Sequence, residues 1–311
     1  MGKKKINYWA LFYGIALTAY AVFTLLYTFV IPRNVVKMSE VIKDTGSEGG
    51  QSKEELSLKK TDEAEEIAIT DHSYVSGTLS VNINTIRRYD TTIYVADIQV
   101  ASSELLRSGL AEDSFGRNVT DTTSDIAKYY QAIFAINGDF YGFRDDGYVM
   151  RNGYLYRSSK RSVSDNEDLV VYEDGRFEII KENEVSAEAL KEAGAVQIYS
   201  FGPGLLQEGQ IIVGEKEEVA RSMNSNPRTA IGMIEPLHYI VVVSDGRTSK
   251  SEGITIYQLA EVMQEYGCET AYNLDGGGSS TMWFNGEVVN EPTSHGKIKE
   301  REVSDIVYFK S

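Results

Sequence analysis

The sequence predicts an α+β protein, a mixed β-sheet core flanked by helices and preceded by one N-terminal transmembrane helix. Three observations carry this. After His72, short runs rich in β-branched and aromatic residues recur to the end of the chain: TIYVADIQV, AIFAINGDFY, LVVYEDGRFEII, TAIGMI, YIVVVSD, TAYNLD, TMWFNGEVV and DIVYF. Two stretches carry helical periodicity instead, one over about Ser124 to Ala135 and one starting at Thr255. Ahead of all of them, an uncharged apolar run extends from about Tyr8 to Ile31.

That first run is as long as a bilayer-spanning helix, which needs ~20 residues, and longer than the ~7–15 residues of a secretory leader. Its exit, TFVIPRNVVKM, offers no small-x-small cleavage site. Lys3, Lys4 and Lys5 precede it and hold that end inside. Tyr8, Trp9 and Tyr27 suit the interfacial belts. Residues 1–36 therefore read as a cytoplasmic tip and signal anchor. The protein is then single-pass in the cell membrane with its C-terminal domain extracellular; the competing reading is a cleaved signal peptide.

Residues 37–71 are charged, contain Gly and Ser, and lack aromatics. Such a segment cannot bury enough surface to fold alone. It reads as a flexible charged stalk with some helical tendency from Glu54 to Glu66. As coil it spans roughly 30–35 Å, enough to hold a domain near the membrane but off it. Residues 72–311 form the globular domain.

Within it, EDG at Glu173–Gly175 and NG at Asn285–Gly286 signal tight hairpins. Thr255 and Gln258 make a capping box. Ile256, Leu259, Ala260, Met263 and Tyr266 then share one helix face, and Gly267 supplies the stop. Both helices run into apolar strands, and those strands end in NGD and NLDGGG. Two chemically rich tips at strand ends point to one site.

The formal net charge of −15 excludes non-specific attraction to nucleic acid, so no nucleic-acid partner is expected. Cys268 is the only cysteine, so an intrachain disulfide is impossible. His72, His238 and His295 lack zinc-like spacing, and no EF-hand pattern occurs. No cofactor or catalytic metal is expected; clustered aspartates leave a structural Ca²⁺ open.

The run Asp275-Gly276-Gly277-Gly278-Ser279-Ser280 asks for an explanation, because three glycines cost backbone entropy and pack nothing. A Gly-rich turn at a strand end can aim several backbone N–H groups at one anion, with Ser279 and Ser280 adding hydroxyls. The alternative is a crowded turn where glycine only avoids a clash. No GK[ST] follows, no glycine stands two residues after Ser279, and no helix opens after the glycines. Phosphate-loop, nucleophile-elbow and dinucleotide readings all fail. At the other tip, Asn137-Gly138-Asp139, Asp139 is either a functional carboxylate or an Asx turn. Two aspartates at two tips suggest a glycosidase-like pair. Arg228, before Thr229 at the start of an apolar strand, offers a planar fork for phosphate; a surface arginine is its alternative. Arg247, in Asp245-Gly246-Arg247, reads better as an ordinary turn.

NGDFYGFR, SFGPGLL, NPRTAIG, SDGR…EGITIYQLAEVM, NLDGGGSSTMWFNGEVVN and REVSD occur in that order. Together they resemble the phosphodiester glycosidase family over roughly His72 to Ser311. The stretch from Pro292 to His295 and the stretch from Arg301 to Ser304 look like its closing loop and last strand. Cysteine-rich modules of animal members are missing, and an N-terminal anchor replaces a C-terminal one, as in bacterial envelope relatives described as exopolysaccharide-related.

The resemblance implies cleavage between a sugar anomeric carbon and a phosphodiester, here in a cell-envelope glycan or exopolysaccharide. The partners implied are a phosphoglycan or sugar-1-phosphodiester substrate and the membrane. Asp139 and Asp275 are the catalytic candidates, with nucleophile and base unassigned. Asn137, Gly138, Arg228, Thr229, Gly276, Gly277, Gly278, Ser279, Ser280, His295 and Arg301 are the substrate-binding candidates. The alternatives are a phosphodiesterase breaking P–O and a non-catalytic glycan-binding or assembly protein.

Overall fold

Alternating burial organises the molecule around three sheets. The computed structural model describes residues 8–38, 67–162, 166–216 and 225–311. Among these residues, nine strands form the largest sheet and five form each of two others, and every ladder is antiparallel.

The strand His238–Ser244 shows the logic. Tyr239, Val241 and Val243 enter one cluster, while Ile240 and Val242 enter another on the opposite face. The first cluster is common to all three sheets: Val81 and Ile98 from the large one meet Phe134, Met282 and Phe309 from the second and Leu169 and Tyr199 from the third. Each sheet's other face is covered by one helix. Ile256–Glu265 covers the large sheet, Thr123–Tyr129 the second, and Ala187–Glu192 the third.

The capping box at Thr255 forms with both of its hydrogen bonds, and Gly267 adopts φ +81° at the stop. Truncating the buried Leu259 or Met263 to alanine would cost about 2–5 kcal/mol. The two expected hairpins close as read, with Gly175 at φ +85° and Asn285–Gly286 at φ +45° and +101°. The helix expected to reach Ala135 ends at Tyr129. Gln131 adopts φ +55°, which breaks the helix, and the strand Phe134–Asn137 then begins.

The N-terminal helix Tyr8–Phe29 is apolar and long enough to cross a membrane. Its exit joins the domain directly. Residues Arg33–Lys37 pair with Ser114–Arg117, and Met38 is buried with Leu110, Phe115 and Tyr141. The domain also begins before His72, since Ala68–Ile69 pairs with Ser73–Val75. Most of the expected stalk, including the helical tendency at Glu54–Glu66, lies outside the described residues.

Candidate active site

The two tips come from different sheets and meet. Phe134–Asn137 lies between Met282–Phe284 and Asp305–Phe309, and Thr270–Asn273 lies in the large sheet beside Arg228–Glu235. Asn137 ties them together. Its Nδ2 donates to the Asp275 carbonyl at 2.7 Å, and its Oδ1 accepts from Thr229 Oγ1 at 2.9 Å and from the Thr281 N–H at 3.2 Å. The Asp275 N–H in turn donates to the Gly138 carbonyl at 3.3 Å. Asn137 and Thr229 are buried and spend these groups on the protein, so they act as scaffold beneath the site.

Above that scaffold Asp275, Ser279 and Arg301 form a triangle. Asp275 Oδ2 accepts from Ser279 Oγ at 2.6 Å and from Arg301 Nη2 at 2.7 Å, while Arg301 Nε donates to Ser279 Oγ at 2.9 Å. Burial raises the Asp275 pKa above the ordinary carboxylate value, and the Arg301 charge only partly offsets this.

The glycines fold differently from a ring of free donors. Gly276 donates to Asp275 Oδ1 and Gly277 to the Pro227 carbonyl. Ser279 and Ser280 N–H groups close a 3₁₀ turn onto Gly276 and Gly277. Only the Gly278 N–H has no acceptor among the described residues. Gly277 stands at φ +63°, and a Cβ there would lie 2.8 Å from Arg247 Nη2. Its glycine thus answers both a backbone angle and the approach of an arginine. Gly276 has a Cβ position only 2.9 Å from the Pro227 carbonyl, so close backbone packing explains it.

Arg247, read from the sequence as a turn residue, stands beside the glycines. Its Nε and Nη2 both donate to Asn226 Oδ1, at 3.0 and 2.8 Å, which holds the guanidinium against the glycine turn. Burial first, and then the Arg301 charge, lowers its pKa. Two cations with one carboxylate leave a positive surplus that fits a phosphodiester monoanion.

Arg228 is buried nearby, with Nε donating to the Ile254 carbonyl at 3.1 Å. Ser280 is buried, and its Oγ has no hydrogen-bond partner among the described residues. His295 is exposed at φ +53°, with Nδ1 2.9 Å from Ser294 Oγ, and it borders the same cleft as Arg301.

Asp139 is engaged elsewhere. Its Oδ1 accepts from the Tyr141 N–H at 2.8 Å, and its Oδ2 accepts from the Ser200 N–H at 3.0 Å and pairs with Arg151 at 3.0 Å. Burial works to raise its pKa, but Arg151, Arg144 and the two N–H donors outweigh it and hold the carboxyl below the usual value. Arg151, which the sequence analysis does not single out, also pairs with Asp305 at 2.8 Å and lies 4.4 Å from the Tyr199 ring centroid. One arginine thus serves two fully buried carboxylates. Burial pushes Asp305 up to about 7, the Arg151 charge notwithstanding, whereas Asp139 is held low, so the two carboxylates share Arg151 unequally. Gly138 is required by this packing, because a Cβ would sit 2.3 Å from Asp305 Oδ1. The signal for Arg151 was an arginine interrupting the apolar run just before the Asn152–Gly153 turn. Among the described residues, no group of three or more His, Cys, Asp or Glu side chains is placed to hold a metal ion.

The phosphodiester glycosidase family model matches residues 130–310 of this chain. An uncharacterised SPβ prophage-derived protein of Bacillus subtilis, YomE, is 30% identical over 181 residues, covering 57% of this chain and 28% of that protein. Human N-acetylglucosamine-1-phosphodiester α-N-acetylglucosaminidase is 26% identical over 211 residues, covering 66% and 36%. The chain therefore spans little more than a third, or less, of these relatives' length. In fold it is similar to the zebrafish N-acetylglucosamine-1-phosphodiester α-N-acetylglucosaminidase catalytic domain, solved as auto-inhibited by its pro-peptide. The TM-score is 0.60 at 20% identity, over 75% of this chain and 83% of that one.

Proposed function

This chain belongs to the phosphodiester glycosidase family, and from that premise we propose that it hydrolyses the bond between a sugar anomeric carbon and a phosphodiester in a cell-envelope glycan, at the Asp275 tip. The observation that carries this is the meeting of Asp275, Ser279 and Arg301 with Arg247 beside the Gly277–Gly278 turn.

The leaving group is a phosphate monoester, already a good one that needs no strong acid. What the site must supply is stabilisation of negative charge as the C1–O bond opens. Arg301, Arg247 and the Gly278 N–H are the available donors. Water attacks C1, the C1–O electron pair leaves on the phosphate oxygen, and the proton shed by water passes to the Asp275 carboxylate. A raised pKa makes Asp275 the better base of the two aspartates, and the committed, buried Asp139 becomes a positioning residue. Because Asp275 must be ionised to act, the rate should climb with pH through a value above the ordinary carboxylate range.

N-acetylglucosamine, the sugar in the relatives' name, is the first to test. The lysines ahead of the apolar helix favour an anchored, extracytoplasmic domain. Turnover of an N-acetylglucosamine-1-phosphodiester by the full chain in H₂¹⁸O distinguishes the bonds. Label should appear on the sugar C1; label in the phosphate would identify P–O cleavage and reject the glycosidase.

A further inference from the structure

Arg301 and His295 of the candidate site line a cleft of about 810 Å³, and the same cleft is lined by Thr28 and Phe29 from the last turn of the N-terminal apolar helix. Chain geometry fixes this neighbourhood. Asn118 Nδ2 donates to the carbonyls of Thr28 at 3.3 Å and Ile31 at 3.1 Å, so the domain accommodates one terminal carbonyl of the helix and one just beyond its end. Two residues later, Arg33–Lys37 enters a ladder with Ser114–Arg117. Arg33 also lies over the Tyr27 ring at 4.3 Å, as a cation and an aromatic do at a headgroup layer. A retained helix fits these bonds, since cleavage would strip the domain edge of them.

The cleft itself is amphiphilic. Phe140 and Phe143 stack at 4.8 Å, and Phe143 is exposed. Its charged lining is Arg117, Lys299 and Arg301 against Glu300 and Glu302, a surplus of one positive charge. Both glutamates are held by neutral donors, Glu300 by the Ser124 N–H and hydroxyl and Glu302 by Thr120 Oγ1, while Arg301 also reaches Asp275. An aromatic pair next to cations, within a helical turn of the bilayer, matches a headgroup that carries one phosphate charge and a lipid tail.

We infer that the substrate is presented by the membrane: a glycosyl phospholipid whose sugar C1 is joined through phosphate to a lipid alcohol embedded in the same bilayer as the helix. This rests on the glycosidase reading above and on retention of the helix. Water attacks C1, the C1–O bond breaks with its electron pair on the phosphate oxygen, and the water proton goes to Asp275. The products are the free sugar and a lipid phosphate that stays in the membrane.

The test uses the full chain in lipid nanodiscs with two probes of identical headgroup, an N-acetylglucosamine-1-phosphoryl ester of a long-chain prenol and the corresponding methyl ester. The prenol ester should be hydrolysed with a kcat/KM at least ~10-fold higher. A variant with a flexible Gly-Ser spacer inserted after Ile31 keeps the anchor but lifts the cleft from the surface. It should lose that advantage while still hydrolysing the methyl ester. Equal rates on both probes, or methyl ester turnover alone, would overturn the membrane-presented substrate and leave the glycosidase standing. An advantage that survives the spacer comes from tethering alone and also overturns it. Hydrolysis of neither probe would overturn the glycosidase reading and the inference with it.

Discussion

The tips Asn137-Gly138-Asp139 and Asn273-Leu274-Asp275 look alike in sequence, each an apolar strand ending in Asn-x-Asp, yet they have opposite surroundings. Both carboxylates have donors on both oxygens, but the Asp139 side chain is fully buried and pairs with a fully buried arginine. The Asp275 side chain is 12% exposed, and its arginine partner is 39% exposed on a cleft. Chemistry at a strand tip thus depends on what covers the carboxylate. A buried ion pair orders the scaffold, and only a carboxylate that solvent and substrate can reach acts on them.

Removing the cation from the sealed tip gives the largest expected effect. Arg151→Met removes the guanidinium that pairs with both buried carboxylates, which should cost about 3–5 kcal/mol. Chemical denaturation would read this, and an unchanged midpoint would show that the ion-pair network does not hold the tip. At the open tip the effects should be kinetic. Arg247→Ala removes a guanidinium beside the glycine turn, worth about 1.5–3 kcal/mol in kcat/KM for a charge-assisted bond to phosphate. Its melting temperature should stay near that of the wild type; full activity would return Arg247 to the role of an ordinary turn residue.

The contrast also explains what was legible in the sequence. Both tips, the capping box at Thr255 and two Asn-Gly or Asp-Gly hairpins are local signals, and the chain carries them openly. The split between the aspartates is not local. Arg151, Ser200 and Asp305 reach Asp139 from 12, 61 and 166 positions away, so no window around NGD contains them. The glycine run misled in a specific way: its composition suits a phosphate nest, but Pro227 and the turn itself consume most of the N–H groups. Arg247 was passed over because Asp-Gly-Arg is a common turn, and only the fold brings it against Gly277.

Smaller effects sharpen the picture. Gly277→Ala forces a side chain to φ +63° and against Arg247, so stability should fall by about 1 kcal/mol or somewhat more. Thermal unfolding checks it, and no change would remove the backbone explanation for this glycine. The pH dependence of stability should show Asp305. Its folded pKa of about 7 lies above the ordinary carboxylate value. The stability it contributes is therefore full below that ordinary value and is lost as pH rises through about 7. Asp305→Asn keeps an oxygen for Arg151 and removes the titration, so the decline in stability across this window should flatten. An identical slope in wild type and variant would show that Asp305 does not titrate in this window.

The division of labour between the tips is tested most directly by Asp139→Asn and Asp275→Asn, with melting temperature and turnover measured on the same samples. Asp275→Asn should keep a melting temperature close to wild type and lose about 10²–10⁴-fold in rate, the usual contribution of a positioned base. Asp139→Asn should melt earlier, while the fraction that remains folded turns over at close to the wild-type rate. An Asp139→Asn protein that is stable but inactive, beside an Asp275→Asn protein that retains turnover, would contradict the assignment and move the chemistry to the sealed tip.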